Sequence, residues 1–146
     1  MKLFNLTIAT LLLGVCAMNA SARDDIGEYS VADALASEQA KTILGDDIKF
    51  YFGDQAHGAI TRTILETRTN KKTNGANKSD KEACEWAFLS AMKALREKAQ
   101  SVGGNAVVNI RSNYRNNLTS SPTTFKCGSG MLMSGVALVG DVVVLK

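Results

Sequence analysis

Three cysteines and a single histidine carry most of the reactive chemistry open to this 146-residue chain. Cys84 and Cys127 stay together if a leader containing Cys16 is removed. An even pair of cysteines in an exported protein reads most simply as one disulfide, with two buried thiols as the alternative. Two cysteines and the distant His57 do not supply a tetrahedral set at zinc spacing, so no metal is expected. His57 follows Asp54 by three residues, and a hydrolase on this chain would have to use that pair; a surface turn is the alternative. Gly128-Ser129-Gly130 resembles part of a nucleophile elbow, but the five-residue pattern is missing and its setting reads as strand. There is no Gly-x-x-x-x-Gly-Lys-Ser/Thr loop, which excludes ATP hydrolysis of the usual kind. No cofactor is expected.

A second chemistry is electrostatic. Arg68, Lys71, Lys72, Lys78 and Lys81 surround the polar stretch 70–78 and offer contact to anionic envelope material such as lipopolysaccharide or phospholipid headgroups. Asp80 and Glu82 dilute the cluster, and a solvated loop is the competing reading. With 17 basic and 14 acidic residues the chain is too balanced for a nucleic-acid binder that relies on blanket positive charge. Its 45% hydrophobic and 21% charged content fits one folded domain rather than disorder.

Where the chain sits decides what those residues can do. Met1-Lys2, the apolar run Leu3 to Val15 and the small residues Ala20-Ser21-Ala22 read as a secretory signal peptide over 1–22, cleaved after Ala22. The apolar stretch is too short to span a bilayer. A lipobox over Leu13-Gly14-Val15-Cys16, with Cys16 acylated, is the alternative, although Val15 stands where Gly, Ala or Ser is usual. The expected location is the periplasm.

The elements that must position these groups follow from periodicity. Residues 23–29 are polar and read as a flexible lead-in to a domain over 30–146. Ser30 is an N-cap for a helix over 31–44, with Gly45 as its stop. Ile48 to Phe52 alternates as a strand, and 60–69 reads as a second strand antiparallel to it. Residues 70–78 read as an exposed loop. Ser79-Asp80-Lys81-Glu82 is a capping box for a long helix over about 80–102, ended by Gly103-Gly104. Its alanine-rich stripe carries Trp86, which reads as core filling. Ala106 to Arg111 is a central strand, 113–121 a loop, and Pro122 opens an extended piece bearing Cys127. Met131–Val139 and Val142–Leu145 read as two strands joined at Gly140-Asp141. The fold class is α+β: a mainly antiparallel sheet with one long helix packed on it and a shorter N-terminal helix.

Three segments carry a family resemblance. They are Lys49-Phe50-Tyr51-Phe52-Gly53-Asp54, Asn77 to Asp80 running into Ala83-Cys84-Glu85-Trp86-Ala87-Phe88, and Gly103-Gly104-Asn105-Ala106-Val107-Val108-Asn109-Ile110-Arg111. Over about residues 30–146 the chain resembles small exported bacterial proteins often labelled excinuclease ATPase subunit. That label implies ATP chemistry, for which the phosphate loop is lacking. Leu95 to Ile110 is similar to the Rcs stress-sensor lipoprotein and to the YbjQ family, compact α+β domains in which a helix leads through a Gly-rich turn into a strand. The first likeness implies an envelope protein with disulfides around its core; the second implies oligomers and, by that family's label, heavy-metal binding. The chain departs in having one Cys pair rather than two and no Pro-rich tether. Neither likeness supplies a catalytic residue.

The expectation is therefore a non-enzymatic periplasmic or cell-envelope binding or sensor-like domain. Its partner would be an envelope protein or an anionic envelope component, with no nucleic acid and no membrane-spanning segment. The alternative is a homo-oligomeric small-ligand or metal-binding module, with the strands Met131–Leu145 offering an edge for pairing.

Overall fold

The computed structural model describes residues 23–146; the expected signal peptide, its cleavage point and Cys16 lie outside the described residues. The order is β1 (Asp25–Ser30), α1 (Val31–Leu35), α2 (Glu38–Leu44), β2 (Lys49–Phe52), β3 (Ile60–Asn74), α3 (Asp80–Ser101), β4 (Ala106–Tyr114), β5 (Asn117–Thr119), β6 (Thr124–Ser129) and β7 (Met133–Leu145). The class is α+β, with a mixed, mostly antiparallel sheet and one long helix. Among the described residues no helix is long and apolar enough to cross a membrane.

Capping explains where the helices begin and end. Ser79 Oγ accepts the Glu82 N–H at 3.1 Å and starts α3. At the other end Gly104 N–H donates to the Ala99 carbonyl and Gly103 N–H to the Gln100 carbonyl, with Gly103 at φ +79°. That is the Schellman closure, which needs a residue tolerant of positive φ at this point. The expected helix over 31–44 is instead two short ones. Ser37 takes extended geometry and its Oγ accepts the Ala40 N–H at 3.0 Å, so it caps a second start and breaks the run.

β7 organises the sheet. One edge pairs with β3 along its whole length, from Met133 opposite Asn74 to Leu145 opposite Ile60. The other edge is shared: Ser134 and Gly135 pair with β6, while Leu138 to Val143 pair with β4. Beyond β6 lies β1, and beyond β4 lie β5 and, in parallel, β2. α3 packs on one face, and its buried residues Cys84, Ala87, Phe88, Ala91, Met92, Leu95 and Ala99 meet Val107, Ile110, Phe125, Val136, Leu138 and Val142 from the strands. The Phe88 and Phe125 rings stack with centroids 4.2 Å apart, and Tyr29 and Phe52 extend the column on either side at 5.9 Å.

Several expectations are corrected here. Gly140-Asp141 is not a hairpin: β7 runs straight through. A Cβ on Gly140 would stand 2.6 Å from Val107 Cγ1 and 3.2 Å from Ile110 Cγ1, so glycine marks a close approach between strands rather than a turn. The crowding arises from a bulge in β4, where Asn109 sits at φ +51° and the register slips between Val108 and Arg111. Residues 70–74 are strand, not loop, because β7 is long enough to pair with them. β3 is antiparallel to β7 rather than to β2, and β2 runs parallel to β4. Residues 25–29 are no flexible lead-in: they form most of β1, paired with β6 from Asp25 opposite Ser129 onward. The stretch after Ser112 holds a tight hairpin, with Arg115 and Asn116 both at positive φ between β4 and β5.

β3 is the outer strand beside β7. It is long, and it carries four basic side chains, one acidic one and two register irregularities, the features that discourage pairing with another copy. β7 itself is paired on both edges, so Met131–Leu145 does not present the pairing edge expected of it.

The bulge account makes a direct prediction. Gly140→Ala should lower stability by about 1–3 kcal/mol in urea unfolding, because Val107 must move within a filled core. Gly58→Ala, which would meet only the Lys146 carbonyl at an ordinary 3.6 Å, should leave the unfolding midpoint in place.

Candidate functional site

The sulfurs of Cys84 and Cys127 stand at disulfide distance, with the Cα atoms 5.8 Å apart and both residues fully buried. Cys84 occupies the second turn of α3 and Cys127 the middle of β6, so the link ties the helix to the sheet beneath it. Ser129 is also buried, with its hydroxyl 3.3 Å from Cys84 Sγ. The Gly128-Ser129-Gly130 segment therefore places its serine against the disulfide inside the core, not on an exposed elbow.

His57 lies at the surface. Its Nδ1 meets the Gly58 carbonyl at 2.8 Å, and its ring stands edge-on to Tyr51 with centroids 5.5 Å apart. Asp54 belongs to the turn after β2, and no hydrogen bond joins it to His57 among the described residues. The histidine packs as the end of a turn would.

The five basic residues separate into two groups. Arg68 is engaged by Glu66 at 3.1 Å, and Lys81 by Asp33 at 3.2 Å. The hydrogen bond to Asp33, with the nearby charge of Glu85, raises the Lys81 ammonium above its ordinary pKa and commits it to its neighbours. Lys71, Lys72 and Lys78 form no ion pair among the described residues. Lys71 and Lys72 stand on the far end of β3, and Lys78 Nζ donates to the Asn74 carbonyl at 3.1 Å in the loop that follows.

Sequence reasoning missed an apolar groove of about 480 Å³ between α1, β2 and the Pro122 segment. Val31, Leu35, Phe50, Phe52 and Pro122 supply its walls, with Ser30, Gln55 and Thr123 on the polar rim. Hydrogen bonds hold the three segments in place. Val31 N–H donates to the Thr123 carbonyl at 2.9 Å, Gln55 Nε2 to the Pro122 carbonyl at 2.6 Å, and Phe52 N–H to Gln55 Oε1 at 2.8 Å. Its volume is that of a small-molecule site, and no charged side chain lines it among the described residues. The arrangement suits an uncharged, largely apolar group. The signal was present in the alternation of Phe50 and Phe52, but a strand face cannot be told from a groove wall without knowing that α1 and the Pro122 segment come to lie beside it.

Two further hollows are less suited. A polar one of about 280 Å³ on the open face of the sheet lies between Arg68, Asn70, Asn113 and Arg115. Both of its guanidinium groups are already paired, Arg68 with Glu66 and Arg115 with Asp24. A small cleft of about 90 Å³ is walled by Trp86, Leu89 and Ala34. Trp86 is thus not core filling: it is 38% exposed, because the buried stripe of α3 runs through Cys84, Ala87, Phe88 and Ala91 and leaves it at the border.

No family model, curated protein or solved structure matched the chain.

Ala32 lines the groove from an exposed helical position, which allows a test that spares the core. An apolar fluorophore such as N-phenyl-1-naphthylamine should bind and brighten. Ala32→Trp should fill the groove and weaken that binding about tenfold or more while the unfolding midpoint stays put.

Proposed function

We propose that the protein is a non-enzymatic binding or sensor-like domain of the bacterial cell envelope, exported to the periplasm and holding an uncharged, mostly apolar group in the groove beside α1. The observation that carries this reading is the Cys84–Cys127 pair, at disulfide distance in the middle of the core. A structural disulfide persists in oxidising compartments and is rare where thioredoxin and glutathione keep thiols reduced. The apolar leader over residues 1–22 supplies the route. With both sulfurs joined, neither is a nucleophile or a metal ligand, and His57 is occupied with Gly58 and Tyr51. The groove supplies what remains, which is binding. The likeness to an envelope stress sensor agrees with this assignment.

A second reading, a self-assembling module, now rests on β3, since its outer edge is the one left beside β7. Its basic side chains would face their own kind in a symmetric pair.

Intact mass of the exported protein, taken before and after reduction, tests the reading. The chain should begin at Arg23 and gain two hydrogens on reduction, with no sulfur alkylated beforehand and two afterwards. Two freely alkylated sulfurs in the native protein, or an intact leader in a cytosolic product, would overturn it. Cys84→Ser with Cys127→Ser should cost about 4 kcal/mol, from the entropy of closing a loop of this length.

A further inference from the structure

Three exposed large apolar side chains are consecutive in the chain and lie together at one end of the molecule. Met131 is 76% exposed, Leu132 67% and Met133 46%, three consecutive residues at the tip between β6 and β7. The tip is built, not frayed. Gly130 N–H donates to the Met133 carbonyl at 2.8 Å, and Gly75 N–H donates to the Leu132 carbonyl at 2.7 Å, pinning the tip to the loop after β3. A monomeric protein rarely holds such a cluster in water without a use for it.

Its surroundings are basic. Lys72 is in register with Gly135 and Lys71 with Val136, so both stand within a few residues of the tip, and Lys78 lies in the loop that the tip touches. None of the three forms an ion pair among the described residues, and neither do Lys49, Lys98 and Lys146 elsewhere on the molecule. Of the acids at this end, Asp25 and Asp80 are held by Arg23, while Glu82 in the first turn of α3 is exposed and in no ion pair among the described residues, one acid against the three lysines. The start of the described chain is here too. Asp25 pairs opposite Ser129, and the Arg23 carbonyl lies 3.3 Å from where a Cβ on Gly130 would stand. Residues 1–22, with their apolar run, therefore join the fold beside Met131.

We propose that this end is a membrane-docking surface, in which Met131, Leu132 and Met133 enter the interface of an anionic phospholipid bilayer while Lys71, Lys72 and Lys78 engage its headgroups. An apolar wedge rimmed by lysines is the composition that binds shallowly at such an interface. Unbranched methionine adapts to a fluid surface. A stable protein interface buries about 1,000 Å² or more, which three side chains on a hairpin tip do not provide, whereas shallow insertion needs no flat partner. The apolar leader arrives at the same end, so a chain still attached to it would meet the bilayer with this surface. The groove takes no part, so the proposal stands or falls apart from the function assigned above.

Co-sedimentation with vesicles tests it, using the protein as recovered from the expressing cell with its N-terminus determined by mass. The protein should bind vesicles of phosphatidylcholine mixed with phosphatidylglycerol about tenfold or more tightly than phosphatidylcholine alone, and added salt should weaken the binding. Lys71→Glu with Lys72→Glu should abolish the preference for the anionic vesicles. Met131→Ser with Leu132→Ser should reduce binding to both kinds by about tenfold or more, at an unchanged unfolding midpoint, since both residues are exposed. Leu132→Trp should shift its emission to the blue on anionic vesicles. Serine variants that bind like the parent, or a parent that sediments with neither vesicle, would overturn the proposal. So would light scattering of a dimer that the serine variants dissociate, because the tip would then be covered by a second copy.

Discussion

The bond between Cys84 and Cys127 and the stacked rings of Phe88 and Phe125 lie side by side, one turn of α3 apart, and together they press the helix onto β6. Everything apolar on the α3 side is arranged about this contact. The aromatic column reaches β1 through Tyr29, β2 through Phe52 and β6 through Phe125, so strands from early and late in the sequence meet at one helical face. Alanines at 83, 87, 91 and 99 let the helix lie close, and Val107, Val136 and Val142 fill the space beneath it. Dispersion and burial supply most of the stabilisation of such a core, while the covalent link acts mainly by restricting the unfolded chain.

The division of one edge of β7 between β6 and β4 sets the shape of the rest. Two half-sheets diverge from a common strand, and α3 lies chiefly over β7 and the outer strand β3. The β4 bulge at Asn109 shifts the register against β2 as well as β7. β2 is a short parallel strand at the margin, with Phe52 buried and Phe50 partly open. The groove is the space left there, closed on one side by α1 and on another by Gln55 bridging β2 to Pro122. A site made this way has walls tied together by hydrogen bonds and an open mouth, the combination expected of a binding pocket.

Local signals were legible in the sequence, and non-local ones were not. Ser30 and Ser79 cap helices as their spacing implies, Gly103-Gly104 closes α3, and Cys84 and Cys127 stand at the disulfide distance expected of them. Each depends on a few neighbouring residues. The continuity of β7 could not be read, because Gly140-Asp141 has the same letters in a tight turn and in a strand crossed by bulky neighbours; only the position of Val107 decides. Residues 70–74 look like loop because an outer strand is charged, and their pairing depends on the length of a partner about sixty residues away. β1 is hidden for the same reason: Asp25 to Ser30 has little strand propensity and is recruited by the free edge of β6. The groove joins three segments distant in sequence, and Trp86 moved from core to border through a rotation of the helix that periodicity leaves undetermined.

Of the described strands, the central one is also the last in sequence order. β3, β4 and β6 all find their partner in Met133–Leu145, so none of them can complete its ladder while that stretch is still within the ribosome. A sheet assembled from such distant pairings forms late and slowly compared with helices. Until this segment is free to pair, β3 has no neighbouring strand at all, so a large share of the backbone hydrogen bonding forms in one late step.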